Sequence, residues 1–126
     1  MAIVGLGLDL AQIERVRSFI ERRGQRALDR VFTPGEQAYC DARASRFASY
    51  AGRFAVKEAV MKLLGTGWRG GGRWIDIEVA RERGPAPTVR LHGETARIAA
   101  RRGIRAIHVT ITHDGGLAAA VAVGES

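Results

Sequence analysis

Between Phe47 and Met61 apolar residues recur at spacings of three, four and seven, and Phe47, Tyr50, Ala51, Phe54, Ala55 and Met61 share one arc. That period predicts a long helix over 46–64 with one buried face, stopped by Gly65-Thr66-Gly67 through the left-handed conformation glycine permits. The period changes on either side of it. Residues 2–10, AIVGLGLDL, form a short apolar run that predicts a buried strand, with Gly5 and Gly7 alternating so that another backbone can approach. Ile13, Val16, Phe19 and Ile20 make the stripe of a helix over 11–23, and Arg26 and Arg30 follow on a short second turn. Thr33-Pro34-Gly35-Glu36 combines an N-cap threonine, a proline at the first helical position and a glutamate at N3, a capping box that starts a helix running to about residue 44. Residues 74–81 and 88–91 alternate as strands around a Gly84-Pro85 turn, and 93–102 suits a short amphipathic helix closed by Gly103. Residues 106–113, AIHVTITH, alternate again, and Asp114-Gly115-Gly116 turns the chain into a last strand over 117–123.

Charges interrupt this pattern at a few places. Glu58 projects close to Phe47, Ala51 and Phe54, and Lys62 lies one turn further on the same side, so two charges fall on a face that the period predicts to be packed. They form either a surface i,i+4 pair or part of a site. Of 20 basic residues only Lys57 and Lys62 are lysines, both on this helix, where a compact charge or a removable proton distinguishes them from arginine. Asp9 stands among Leu8, Leu10 and Ile13 at the end of the first strand, either as an N-cap for the next segment or as a metal ligand. The adjacent GLG lacks the third glycine of a dinucleotide fingerprint. His113 closes its strand on the apolar side, as a hydrogen-bonded structural residue or a site residue.

With 126 residues, 46% hydrophobic and 26% charged, the chain is expected to form a single globular domain over 1–126. A net charge of +7 points to a polyanionic partner: nucleic acid, a phosphorylated cofactor, an acidic protein or a membrane surface. Dispersed arginines, 6% aromatics and no recognised binding module argue against nucleic acid. The single Cys40 excludes an internal disulfide framework and a cysteine-rich zinc site, and suits a reducing cytoplasm. Asp9 cuts the first apolar run too early for a signal or membrane segment.

As a set, GLGLDL at 5–10, Arg15, FTPGE at 32–36, GRFAVKEAVMKLLGTG at 52–67 and TITHDGGLAAAVAV at 110–123 resemble, in order and spacing, the holo-[acyl-carrier-protein] synthases, the small phosphopantetheinyl transferases. The resemblance implies an α+β fold, a small antiparallel sheet packed on a long helix, in trimers whose sites are shared between neighbouring subunits. It implies transfer of the 4'-phosphopantetheine group of coenzyme A to a serine of apo acyl carrier protein in fatty acid biosynthesis. Adenosine 3',5'-bisphosphate leaves, and Mg2+ is the cofactor. The family's metal ligands map onto Asp9 and Glu58. Arg53, Lys57 and Lys62 are candidates to grip phosphates, with backbone N–H groups around Gly65 and Thr66. His113 is expected near the nucleotide or the reacting centre, and the serine proton goes to Lys62 or to a metal-bound water. Docking of the acidic carrier falls to Arg15 and, after one extra residue, Arg26. Thr110 stands where the family often has serine and Leu117 where an aromatic is common. The rivals are a small basic nucleic-acid binder and a related transferase serving a polyketide or multidomain synthase carrier.

Overall fold

The computed structural model describes residues 1–65, 72–80 and 86–126. Its elements are β1 (Ile3–Gln12), α1 (Ile13–Arg23), α2 (Gln25–Val31), α3 (Pro34–Asp41), α4 (Arg46–Leu64), a 3-10 turn (Trp74–Asp76), β2 (Ile77–Ala80), β3 (Thr88–Leu91), α5 (Gly93–Arg101), β4 (Ala106–Asp114) and β5 (Leu117–Glu125). β1, β5 and β4 form an antiparallel sheet in that spatial order, and β2 pairs with β3 in a second, two-stranded sheet. This is the expected α+β architecture.

α4 lies on the three-stranded sheet, and the residues beneath it explain how closely. Strand alternation turns Gly5, Gly7, Asp9 and Ala11 of β1 towards the helix together with Ala118, Ala120, Ala122 and Gly124 of β5. Small residues there let helix backbone meet strand backbone: a Cβ on Gly5 would sit 2.5 Å from Leu63 Cδ1. The other side of α4 is covered as well, so Val56, Lys57, Val60 and Leu64 are buried and the helix is central rather than one-faced. β1 departs from expectation in the opposite sense. Its outward residues Leu6, Leu8 and Leu10 are 59 to 65% exposed, because alternation in a strand covered on one side leaves them facing away from the helix, and Ile3, beyond a register shift between Ile3 and Gly5, is 67% exposed.

Several boundaries follow from local hydrogen bonding. Both halves of the capping box form: Glu36 N–H donates to Thr33 Oγ1 at 3.2 Å and Thr33 N–H to Glu36 Oε1 at 2.8 Å. α3 ends at Asp41, earlier than expected, with the Ala42 N–H closing on Ala38 O at 3.3 Å and the Arg43 N–H on Cys40 O at 3.2 Å. The chain over 74–76 is a 3-10 turn instead of strand, held by Asp76 accepting from the Arg73 N–H at 3.1 Å. Gly115 and Gly116, at φ 56° and 79°, form the two-residue loop between β4 and β5, which requires positive φ at both positions. The Gly84-Pro85 turn lies outside the described residues. Cys40 is fully buried, and burial pushes its thiol up to about 11.

Candidate active site

β1 crosses α4 with Gly5 against Leu63 and Gly7 against Ala59. Two strand residues, about 6.6 Å, thus advance one helical turn, about 5.4 Å, and Asp9 continues the register to the turn before Ala59. Lys62 reaches back to it, its Nζ donating to Asp9 Oδ1 at 3.0 Å and to Leu8 O at 2.9 Å. The Asp9 side chain is 15% exposed and that of Lys62 56%. Glu58, half-buried, precedes Lys62 by one turn, so Lys62 ties Asp9 to the side of the helix that carries the second acid. The N-cap alternative for Asp9 falls away. β1 runs on to Gln12, which occupies the cap position of α1 without a side-chain hydrogen bond.

These donors are hard oxygens, two carboxylates and a strand carbonyl, and they suit Mg2+, which binds through one or two carboxylates and keeps several waters. Among the described residues no group of three or more His, Cys, Asp or Glu converges, so the nitrogen- and sulfur-rich sets of a closed zinc site are not formed there.

A second concave feature lies at the N-terminal half of α4. A cavity of about 320 Å³ is lined by Tyr39, Arg43, Ser49, Arg53, Ile111 and His113 among others. Arg53, 4% exposed, stacks its guanidinium 3.9 Å over the Tyr39 ring, and its buried Nε has no hydrogen-bond partner among the described residues. An orphaned guanidinium nitrogen at a cavity wall suits an anion. His113 Nε2 lies 2.9 Å from Ala48 O, so in the neutral ring that nitrogen donates and Nδ1 is left to accept. Gly52 makes this contact possible, since a Cβ there would come within 3.1 Å of His113 Nε2.

Within one chain these two features do not meet. Asp9 pairs with Ala120 and His113 with Ala118, from opposite sides of β5. Two inter-strand spacings, on the order of 10 Å, separate the sheet edges that carry them.

Lys57 and Gly65 differ from expectation. The Lys57 ammonium is completely enclosed, donating to Glu36 Oε1 at 2.9 Å, Trp74 O at 3.1 Å and Ile77 O. Burial lowers its basicity against the opposing pull of Glu36, and no phosphate can reach it. Glu36 Oε2 in turn accepts from the Val79 N–H at 2.8 Å. The capping glutamate therefore joins α3, α4 and β2, a role foreshadowed by a buried-side lysine lacking a carboxylate of its own. Gly65, at φ 73°, gives its N–H to Met61 O and Lys62 O as the helix cap, leaving none for phosphate. Thr66 lies outside the described residues.

Arg15 and Arg26 are exposed on α1 and α2. A groove of about 510 Å³ beside them has Val16, Phe19, Phe54 and Trp74 among its walls, with Arg15 and Arg30 at its rim. Phe54 and Trp74 stack at 5.0 Å. Arg30 continues into an adjoining hollow with Arg23 and Arg26. Arg30 lies four residues beyond Arg26, on the same face of α2.

Comparison with known proteins agrees with this geometry. The profile of the 4'-phosphopantetheinyl transferase superfamily matches residues 5–122. A holo-[acyl-carrier-protein] synthase of Solibacter usitatus (strain Ellin6076) is 48% identical, over 98% of this chain and 99% of its own. The crystal structure of holo-[acyl-carrier-protein] synthase from Neisseria meningitidis superposes with a TM-score of 0.89 at 25% identity, covering 99% of this chain and 100% of that one. The Helicobacter pylori holo-[acyl-carrier-protein] synthase, solved in complex with coenzyme A, gives 0.83 at 30% identity, over 95% and 99%. The profile match over 5–122 and the near full-length identity place this chain in the 4'-phosphopantetheinyl transferase superfamily, among the holo-[acyl-carrier-protein] synthases.

Proposed function

We propose that this chain, as one domain over 1–126, transfers the 4'-phosphopantetheine group of coenzyme A to a serine of apo acyl carrier protein, in the cytoplasm and in fatty acid biosynthesis. The observation that carries the reading is the Lys62 ammonium on Asp9, which joins the β1 acid to the helix side bearing Glu58. Asp9 and Glu58 would hold Mg2+. Bound there, the ion supplies positive charge to the diphosphate and polarises the bond to be broken. The serine oxygen attacks the pantetheine-side phosphorus, the bond from that phosphorus to the bridging oxygen breaks, and adenosine 3',5'-bisphosphate departs with the electron pair. The serine proton would pass to a base, either Lys62 once it has lost its own proton or a water. Arg53 and His113 would bind a phosphate on the nucleotide side, the guanidinium through its orphaned Nε. Arg15 and Arg26 would meet the acidic carrier protein, whose apolar residues fit the groove walled by Phe19, Phe54 and Trp74. No helix of the described residues is long and apolar enough to cross a membrane.

The separation of Asp9 from His113 supports a shared site in a homotrimer, one copy giving the acid edge and its neighbour the His113 edge. The bare Leu6, Leu8 and Leu10 face supplies apolar surface for such assembly. Complementation tests both parts. Asp9→Asn and His113→Ala variants, each folded and each lowered at least tenfold in labelling of apo carrier protein with Mg2+, should regain activity when unfolded and refolded together, because mixed assemblies contain intact sites. Absence of labelling by the unmodified protein would sink the transferase reading, and strictly additive activity in the mixture would sink the shared site.

A further inference from the structure

Lys62 and Lys57 stand five residues apart on α4 and are held in different ways. Lys57 gives hydrogen bonds to three oxygens and is 0% exposed. Among the described residues Lys62 donates to two oxygens, both from β1, and more than half of its side chain faces solvent. Those two oxygens, the Leu8 carbonyl at 2.9 Å and Asp9 Oδ1 at 3.0 Å, are one dipole and one anion converging on a single positive charge. A hard divalent cation seeks the same donors.

We propose that the Lys62 ammonium is a built-in stand-in cation for this site, and that a divalent ion binding at Asp9 displaces it. The inference rests on the metal reading above and adds a competition to it. Both cations need the Asp9 carboxylate, so the two positive charges would converge on one anion and repel. Asp9 is anchored in a paired strand opposite Ala120, whereas Lys62 ends a flexible four-carbon stem in partial contact with water. The lysine is therefore the partner that moves. Before the ion arrives, Lys62 keeps Asp9 compensated and oriented. After displacement the ammonium is released at the mouth of the site, free to meet an incoming diphosphate. Arginine would substitute poorly, because its wide planar fork cannot converge on these two oxygens as a point charge and leave as one.

Thermodynamic linkage makes the competition measurable in both directions. The chain has two lysines, and Lys57 is enclosed, so Lys62 is the lysine side chain open to an amine-reactive ester, and the N-terminal amine serves as internal control. Peptide mapping by mass spectrometry at fixed pH, without coenzyme A, should show saturating Mg2+ raising Lys62 acylation on the order of fivefold or more while the N-terminus reacts unchanged. Mn2+ binding followed by the resonance of the free ion should be about tenfold tighter in Lys62→Met and weaker in Asp9→Asn. Unchanged Lys62 reactivity at saturating Mg2+ in protein that binds Mn2+, or equal or weaker Mn2+ affinity in Lys62→Met, overturns the displacement and leaves the metal assignment standing. No Mn2+ binding by the unmodified protein, or undiminished binding by Asp9→Asn, removes the metal assignment and the displacement with it. The acylation measurement uses the unaltered chain and does not depend on any variant folding.

Discussion

Gly7 lies directly on Ala59: a Cβ at position 7 would be 1.8 Å from the Ala59 carbonyl oxygen and 2.7 Å from its carbonyl carbon. Both atoms belong to helix backbone, which cannot turn aside as a side chain can. The contact sets the distance between β1 and α4, and with it the meeting of Asp9 and Lys62 two residues further along the strand. Gly7→Ala should cost at least about 3 kcal/mol, the upper range for overpacking a close contact. Gly124→Ala, whose nearest neighbour is Leu63 Cδ1 at 2.9 Å, should cost about 1 kcal/mol because that side chain can shift. Urea unfolding of both variants measures the contrast, and equal midpoints would refute it.

The Lys57–Glu36 pair makes a prediction about stability alone. Lys57→Met leaves Glu36 buried without its counter-charge, at a cost of roughly 3–5 kcal/mol. Adding Glu36→Leu should recover part of that loss, because the paired apolar replacement removes the stranded charge. Denaturant midpoints for the two variants check it. A double variant less stable than Lys57→Met would show that the carboxylate's bonds to Thr33 and Val79 outweigh its burial.

Carrier docking should be separable from chemistry. Arg15→Glu and Arg26→Glu are expected to raise the KM for acyl carrier protein, on the order of tenfold when combined, with the KM for coenzyme A little changed. Higher ionic strength should narrow the difference, since exposed charges are screened within about 10 Å at 0.1 M. Steady-state kinetics at two salt concentrations decide it. A rise in the KM for coenzyme A instead would move these arginines to the nucleotide site.

Glu78 carries an acid-side signature. The hydrogen bond with His92 at 3.0 Å, helped by Thr33 Oγ1 at 3.1 Å, holds its carboxyl below the usual 4.5. The folded value lies below the unfolded one, so the stabilisation is complete above about pH 4.5 and is lost as pH falls through the folded value. The Tm difference between the unaltered protein and Glu78→Gln should therefore be full at pH 5.5 and shrink towards pH 3. A difference constant over that range would refute the assignment.

Local pattern made much of this molecule legible before any coordinates. α4 begins and ends where its period and Gly65 placed it, the capping box forms in both directions, and the Gly115-Gly116 loop pairs β4 with β5. Each rests on interactions within a few residues of chain, which are the interactions a sequence displays. The 3-10 turn at Trp74–Asp76 escaped because alternation over so short a run also fits a capped turn held by Asp76. The outward leucines of β1 escaped because an apolar run does not say whether one face or both will be covered.

What the sequence determined by itself was the local conformation and the inventory of chemistry: an acid in the first strand, an acid and two lysines on one helix, a histidine in another strand, and arginines on α1 and α2. What only the tertiary structure decided was which groups meet. Lys57 and Lys62 share one helix, yet one closes on Glu36, 21 residues away, and is sealed, while the other reaches Asp9, 53 residues away, and stays in contact with water. β5 pairs with β1 on one side and β4 on the other, which sets Asp9 and His113 at opposite edges of one sheet. Partners so far apart in the chain are chosen by packing, because the burial of α4 on a floor of glycine and alanine orients every side chain around it at once.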